Sequence, residues 1–204
     1  MIQNNNYFDH LEEFLNSSLQ SFQVLNINMD NWWSQIGYEG ALNLGTALAN
    51  CTNLSNLTLR LQGNTIGDKG ASGLGFGLGK CINLQNLVLD LRKNQIGNEG
   101  SSGLGSGLRK CTNFSNLTLY LRWNQIGAIG ASDLGSDLAN CTNLSNLTLD
   151  INKNQVGEIG ALGLGSCLAK CTNLQNLTLY LSTTKKCKVK CLKSKRLVAL
   201  KIES

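Results

Sequence analysis

The sequence predicts an α/β solenoid in which one strand and one helix recur as a unit and each unit stacks on the next. Three features predict it: a fixed repeat length, a run with the two-residue period of a strand, and a stripe with helical spacing. The repeat length is thirty residues and is marked by a cysteine column, which comprises Cys51, Cys81, Cys111, Cys141 and Cys171.

The strand of each unit follows its cysteine. In the second unit Leu57, Leu59 and Leu61 alternate with other residues, which is the period of a strand with one buried face. The alternation recurs in each unit. An irregular copy of it precedes the regular units at 24–29, and another follows them at 197–202. We therefore predict about seven strands.

The helix of each unit follows a glycine-containing turn. Ala71, Leu74 and Leu78 lie on one stripe, because steps of three and four residues return to the same face of a helix. Gly67 and Gly70 come between strand and helix, where a residue without Cβ can adopt backbone angles closed to others. One such unit cannot bury its own apolar face, so neighbouring units must stack to build a continuous core.

An asparagine lies directly after each regular strand. A side-chain amide there can bond to the backbone of a bend that no sheet partner satisfies, so we predict a structural asparagine ladder. The ladder comprises Asn64, Asn94, Asn124 and Asn154. Ser34 and Thr184 take the same position at the two ends and mark the outer turns as degenerate.

A glycine also falls just after the buried leucine of every helix, and this column predicts close packing between neighbouring helices. The column comprises Gly45, Gly75, Gly105, Gly135 and Gly165. The glycine-rich stretch 70–79 does not predict a phosphate-binding loop, because it lacks G-x-G-x-x-G and a Gly-Lys pair followed by Ser or Thr.

The whole chain, residues 1–204, is predicted to be one elongated domain without a linker. Its segments are a capping helix in 1–21, a degenerate first repeat in 22–50, regular repeats in 51–181 and a degenerate basic cap in 182–204. The capping helix is expected over 7–21, which has amphipathic spacing. In the first repeat the thirty-residue frame puts Val24, Ile27 and Met29 at the apolar sites.

The complete frame, LxxLxLxLxxNxIGxxGxxxLxxxLxxC, resembles the ribonuclease-inhibitor-like subfamily of leucine-rich repeats. Asn64, Ile66, Gly67 and Gly70, followed by the two helical leucines, carry the resemblance, which extends from about residue 24 to residue 202. It implies a horseshoe with parallel strands on the concave side and helices outside, and a family that mostly binds proteins on the concave side. The strand frame is two residues longer than the usual LxxLxLxxN, which leaves the curvature open.

The resemblance also implies a second class of function, since the family includes a GTPase-activating protein and inhibitors of hydrolases. No catalytic loop of the GTPase activator can be matched, and kinase signatures of the HRD, DFG or VAIK type are absent from the sequence. We expect a non-enzymatic module that binds a protein partner. The alternatives are a regulator of an enzyme and a structural segment of a larger repeat array.

The predicted binding face follows from the alternation of side chains along a strand. If Leu57, Leu59 and Leu61 point into the core, residues 58, 60 and 62 face solvent on the concave side. Tyr, Trp and Arg supply most of the binding energy at interfaces, which favours an anchor at Tyr120, Arg122 and Trp123. The full predicted set is Arg60, Asp90, Arg92, Tyr120, Arg122, Trp123, Asp150 and Tyr180.

The alternative is that these are ordinary surface residues without a binding role. An exposed sheet carries mixed polar side chains, and neighbouring Asp and Arg can form surface ion pairs that contribute little to stability. Trp32 and Trp33 lie in the degenerate first repeat, where covering exposed core is the expected role. Acid–base catalysis is not predicted. His10, the single histidine, falls in the capping segment, and Asp90 and Asp150 are two strands apart.

The net charge of +5 is concentrated at one end. Residues 1–184 hold 10 basic and 12 acidic side chains, whereas 185–204 hold 8 basic and 1 acidic. This tail could attract nucleic acid, an acidic protein or an anionic membrane. It also suits the polar end that a terminal repeat needs, and without interleaved aromatic residues nucleic acid is the less favoured partner.

The chain begins with a polar segment rather than the apolar run of a secretory signal, and it has no stretch of membrane-spanning length. We therefore expect a cytoplasmic monomer without a cofactor. Asn56-Leu57-Thr58 and its equivalents would accept glycans only in the secretory route, and their recurrence with the repeat favours a structural role.

The cysteine column is expected to supply small buried thiols rather than disulfides. A zinc site is a weaker alternative. Cys167 and Cys171, with Cys187 and Cys191, give two pairs with spacing in the range of structural zinc sites. Against zinc, Cys171 already has a core role, and Cys167 is expected on the outer side of its helix.

Overall fold

The computed structural model describes residues 6–30 and 36–182, and the backbone of 199–203. The described strands form one parallel sheet of eight strands in chain order, and helices connect the regular strands. This confirms an α/β solenoid. The strands are β1 Tyr7–Phe8, β2 Val24–Asn28, β3 Asn56–Arg60, β4 Asn86–Asp90, β5 Asn116–Tyr120, β6 Asn146–Asp150, β7 Asn176–Tyr180 and β8 Ala199–Glu203. The helices are α1 Leu11–Leu15, α2 Gly37–Leu48, α3 Gly67–Leu78, α4 Asn98–Leu108, α5 Ala128–Ala139 and α6 Gly157–Leu168.

The thirty-residue frame sets the register between the regular strands. Leu57 pairs with Leu87, and the same step of thirty continues to Leu177 in β7. Because the step is an even number of residues, every buried leucine of one strand lies beside a buried leucine of the next. The core is therefore a stack of identical layers between sheet and helices.

The predicted frame of the first repeat is wrong by two residues in the strand. Leu25 pairs with Leu57 and is buried, whereas Val24 pairs with Asn56 and is 50% exposed. Ile36 nevertheless aligns with Ile66, thirty residues later. The Ile36 N–H donates to Asn64 Oδ1, just as the Ile66 N–H donates to Asn94 Oδ1. The first repeat thus has two extra residues between Leu25 and Ile36. Residues 31–35, which include Trp32, Trp33 and Ser34, lie outside the described part.

The N-terminal cap also differs from its prediction. Instead of one helix over 7–21, the chain forms β1, the short helix α1 and one turn of 3-10 helix at Leu19–Ser21. Phe8 packs edge-on against Phe14 and Phe22, with ring centroids 5.4 and 5.7 Å apart. These aromatic rings cover the end of the core, and β1 pairs with the edge of β2. The cap therefore adds a strand to the seven predicted.

The asparagine ladder is confirmed. Asn94 is fully buried, and its Oδ1 accepts hydrogen bonds from the N–H groups of Asn64 and Ile66 in the preceding repeat. Its Nδ2 donates to the carbonyls of Leu61 and Arg92. Each amide thus satisfies backbone groups of two neighbouring bends that no strand can reach.

Two further asparagine ladders were not predicted. In one, each Nδ2 donates to the Oδ1 of the preceding strand, as Asn86 does to Asn56 at 2.5 Å, and the ladder extends to Asn176. In the other, Asn83 and its equivalents donate to backbone carbonyls one repeat earlier. The recurring T-N-L-x-N-L segment was the available signal. These contacts support the structural interpretation of the Asn56-Leu57-Thr58 segments.

The cysteine column lies inside the core. Cys81 and Cys111 are fully buried, and their thiols donate to the carbonyls of Leu48 and Leu78, at 3.2 and 3.1 Å. The described cysteines are free thiols, and Cys171 is only partly buried. Cys167 does not point outward as expected. A Cβ on Gly135 of α5 would lie 3.2 Å from the Cβ of Cys167, so Cys167 faces the neighbouring helix. Cys187 and Cys191 of the alternative zinc site lie outside the described residues.

The glycine column places neighbouring helices in backbone contact, as predicted. A Cβ on Gly75 would lie 2.6 Å from the carbonyl oxygen of Gly103 in α4. A second glycine position faces back toward the preceding helix. A Cβ on Gly107 would overlap the backbone of Gly75, and one on Gly77 would overlap Gly45. The helices α2, α3 and α4 are therefore held closer together than any side chain at these positions allows.

We expect Gly107→Ala to destabilise the protein by about 1–3 kcal/mol, the usual cost of overpacking. The clash is with the rigid backbone of Gly75, and it outweighs the gain of about 1 kcal/mol that alanine brings to a helix interior. Urea unfolding followed by circular dichroism measures the change. Gly163→Ala is the matched control. Its Cβ would meet mainly the Ser132 hydroxyl, at 2.9 Å, and this rotatable group can move aside. Equal destabilisation by both variants would contradict close backbone packing as the cause.

Candidate partner-binding face

The concave face is built by the strand residues that alternate with the buried leucines. Thr58, Thr118, Thr148 and Thr178 form its first column, in which each side chain is half-buried. The second column follows the register Arg60, Asp90, Tyr120, Asp150 and Tyr180. The predicted columns therefore exist. The variable residues lie at the carboxyl end of the strands, where each chain enters its turn.

In the turns after β3, β4, β5 and β6, the residue directly before the ladder asparagine lies in the left-handed region. Gly63, Lys93, Trp123 and Lys153 take this position, with φ of 75°, 56°, 61° and 56°. For a bulky side chain such as tryptophan this conformation is strained. The ladder of hydrogen bonds between turns, such as Trp123 N–H to the Asn152 carbonyl at 3.1 Å, holds the backbone in place. In this conformation the Trp123 side chain is 51% exposed.

The predicted anchor residues form one aromatic and cationic cluster. The Arg122 guanidinium lies 5.9 Å from the centre of the Trp123 ring, and the Lys153 ammonium lies 6.0 Å from it. Arg92 lies 5.6 Å from the ring of Tyr120. Rings held beneath cations present a flat apolar surface with charge at its border, which suits a protein interface.

Asp90 and Asp150 lie in the predicted column but are buried by their own turns. Asp90 is 3% exposed, and its carboxylate accepts the Arg92 N–H and pairs with the Arg92 guanidinium through both oxygens. Asp150 accepts the Asn152 N–H, at 3.0 Å. Desolvation by burial raises the pKa of Asp150. Both carboxylates thus bond to backbone amides of the turn.

Asp30 is a member of this face that the sequence did not reveal, because the first repeat is shifted by two residues. It pairs in register with Gln62, whose N–H donates to the Asp30 carboxylate at 2.7 Å. Burial raises the pKa of Asp30. Asp30, Asp90 and Asp150 therefore each accept a hydrogen bond from a backbone amide of a turn.

The cations of the face behave differently. Within the described residues, Arg92 has an ion-pair partner, whereas Arg60, Lys93, Arg122 and Lys153 have none. The Nε of Arg122 is buried and has no hydrogen-bond partner among them. Arg60 in β3 is exposed and Tyr180 in β7 is half-buried. Each lies two strands from Tyr120, so the two residues flank the central cluster. The accessible charge on the concave face is thus positive. Lys93 and Lys153 were absent from the predicted contact set.

Groups for catalysis are not gathered on this face. His10 lies at the start of α1, exposed, with Nδ1 2.7 Å from the carboxylate of Asp9. Asp90 and Asp150 flank Tyr120 on neighbouring strands, as predicted, and their carboxylates are occupied by the turns.

The convex side carries a different feature, a shallow groove of about 620 Å³ across the helices α2, α3 and α4. Leu42 and Phe76 supply its apolar wall, and Phe76 is 59% exposed. Cations also lie over rings here: the Lys80 ammonium is 5.3 Å from the centre of the Phe76 ring, and the Lys69 ammonium is 5.7 Å from that of Tyr38. Phe76 therefore offers a comparison residue of the same kind on the opposite side of the solenoid.

The stacked units and the face they build define a class of protein, the α/β solenoids made of strand–helix repeats. A family model described as Leucine Rich repeat matches residues 53–75, 83–105 and 115–135. Each matched segment begins just before a strand and ends within the following helix. Three successive units of the solenoid are therefore similar to leucine-rich repeats. No curated protein matches the sequence significantly. Leucine-rich repeats are generally protein–protein interaction modules, which use the long concave surface that stacking creates.

The helices of the described residues are all too short or too polar to cross a lipid bilayer.

Proposed function

We propose that the chain is a non-enzymatic module of the ribonuclease-inhibitor-like kind, which binds a protein partner on the concave face of its sheet. One observation carries the proposal: Trp123 is held half-exposed between Arg122 and Lys153, in a strained turn at the centre of the face. Backbone strain at an exposed aromatic residue favours a functional role over a structural one. A monomer in the cytoplasm is part of the proposal, and the free thiols of the core are compatible with it.

The direct contacts proposed are Arg60, Tyr120, Arg122, Trp123 and Tyr180. Asp90 and Asp150 have a positioning role in this proposal, because their carboxylates hold the turns that carry Arg92 and Asn152. The Asp90 carboxylate also fixes Arg92 above the Tyr120 ring. A rigid aromatic platform loses little side-chain entropy on binding, so a few such residues supply most of the affinity.

The test is affinity capture from the protein's own cells with Trp123→Gly and Tyr120→Ala variants. Glycine is the suitable replacement at position 123, because Gly63 already occupies the same turn position with φ of 75°. Relief of strain offsets the lost ring contacts, so we expect the free energy of unfolding to change by less than about 1 kcal/mol. We expect the captured partner to be lost, or bound at least about tenfold more weakly.

The matched control is Phe76→Ala, which removes an exposed aromatic ring from the convex side. It should leave the captured proteins unchanged. If Trp123→Gly leaves them unchanged while Phe76→Ala removes them, the partner binds the convex groove and the concave proposal fails. Urea unfolding of each variant confirms that lost capture does not reflect lost structure.

A further inference from the structure

We propose that the segment of the partner held on this face is a short acidic peptide, with carboxylates bound around the Trp123 ring. This inference rests on the proposed function. It starts from the unequal use of charge on the face. The carboxylates of Asp30, Asp90 and Asp150 are occupied by turn amides, whereas four cations have no ion-pair partner among the described residues.

Arg122 supplies the most specific element. Its Nε is buried without a hydrogen-bond partner among the described residues, which is a costly state for a charged side chain. A carboxylate binds a guanidinium best through two parallel hydrogen bonds, and one of the two edges that can donate them includes Nε. Because Nε is buried, this edge can bind a carboxylate only after the side chain moves. Binding of a carboxylate would then satisfy the unpaired donor.

The spacing of the cations sets the geometry of the peptide. Lys93 and Lys153 flank Trp123 in the turn column, and hydrogen bonds join the successive turns. They are two repeats apart, or about 10 Å at the ordinary spacing of strands. A peptide in the polyproline II conformation covers about 9 Å with three residues and returns to the same face after them. We therefore expect acidic residues three apart, with an apolar residue between them on the Trp123 ring.

The charge balance distinguishes a peptide from a polyanion. Residues 1–184 carry 10 basic and 12 acidic side chains, so their net charge is 10 − 12 = −2. Residues 1–184 therefore offer no net attraction to a long nucleic acid, while the local cations attract a short acidic segment. The basic residues of 185–204 are a separate source of affinity for anions, and the experiment must separate the two.

The experiment selects peptides from a random twelve-residue displayed library on the full-length chain and measures their binding by fluorescence polarisation. The selected peptides are tested on Arg122→Gln and on Lys110→Gln, which removes one exposed positive charge outside the sheet. A third variant changes Lys185, Lys186 and Lys188 to Gln. A single-stranded oligothymidylate serves as the nucleic-acid probe.

We expect the selected peptides to carry carboxylates about three residues apart and to bind about tenfold more weakly to Arg122→Gln. Lys110→Gln and the tail variant should change binding less than about twofold, and raising the salt from about 0.05 to 0.5 M should weaken it. Competition by oligothymidylate, or loss of binding in the tail variant but not in Arg122→Gln, would overturn the inference.

Two further outcomes separate the inference from the proposed function. Neutral or basic peptides that lose binding with Trp123→Gly would overturn the acidic segment and leave the concave face as the binding site. Selected peptides of any charge that bind Trp123→Gly and Tyr120→Ala normally would count against both. Failure to select any peptide would count against the acidic segment.

Discussion

Replacing Asn94 with alanine should destabilise the protein by about 3–5 kcal/mol, because one buried amide serves four backbone groups. Its Oδ1 accepts from Asn64 and Ile66, and its Nδ2 donates to Leu61 and Arg92. The alanine side chain satisfies none of them, and water has no open path because Asn94 is fully buried. Urea unfolding followed by circular dichroism measures the loss.

Two comparisons decide whether the ladder is the cause. Asn113→Ala removes an exposed amide that makes one hydrogen bond, to the Ile82 carbonyl, and should cost less than about 1 kcal/mol. Asn94→Asp keeps the shape and the two accepting contacts but places a carboxylate oxygen against the Leu61 and Arg92 carbonyls. It should destabilise at least as much as Asn94→Ala at neutral pH. A mild effect of Asn94→Asp would show that the donated bonds contribute little.

The regular part of the fold was predictable because one repeat determines the next. A step of thirty residues brings identical side chains together, so Leu57, Cys81 and Asn94 each had to find the same residue type in the neighbouring unit. Stacking then fixes the sheet, the core and the ladder at once. The absence of a side chain at Gly75 pointed to close helix packing for the same reason, and the contact with Gly103 bears this out.

The ends were less predictable because nothing in the sequence repeats there. The first repeat contains two extra residues, and only the burial of Leu25 and the exposure of Val24 show where they fall. Hydrophobic spacing in the capping segment favoured a helix. Pairing of Tyr7 and Phe8 with an otherwise open sheet edge outweighed that local preference.

The side chains that line the concave face were predicted in position, but their contacts were not. Alternation placed Asp90 and Asp150 on the concave face correctly, yet it could not show that short carboxylates bond to their own turns. A turn in the left-handed region was equally hidden, since Lys93, Trp123 and Lys153 give no glycine signal for it. These backbone effects are why four cations of the face have no ion-pair partner among the described residues.

The protein should lose several kcal/mol of stability, on the order of 1 kcal/mol for each of the four buried thiols of the cysteine column, between pH 8 and pH 10. Burial raises the pKa of the Cys51 thiol to about 11, and those of Cys81, Cys111 and Cys141 to about 12. In the unfolded chain the same thiols ionise near pH 9, their ordinary value. Above that pH the unfolded state releases protons that the folded state retains, so unfolding becomes more favourable. The stabilisation is complete well below pH 9 and is lost as the pH rises toward 11 to 12.

Cys111→Ser tests this cause against the general effect of alkali. A serine hydroxyl can still donate to the Leu78 carbonyl and does not titrate in this range. Tyrosine and lysine side chains titrate in both proteins, so they cancel in the comparison. With a reductant present, urea unfolding at pH 7, 8, 9 and 10 should show the wild-type protein losing about 1 kcal/mol more than Cys111→Ser by pH 10. Parallel losses in the two proteins would mean that Cys111 ionises as readily when folded as when unfolded, and that burial does not hold the thiol column in its neutral form.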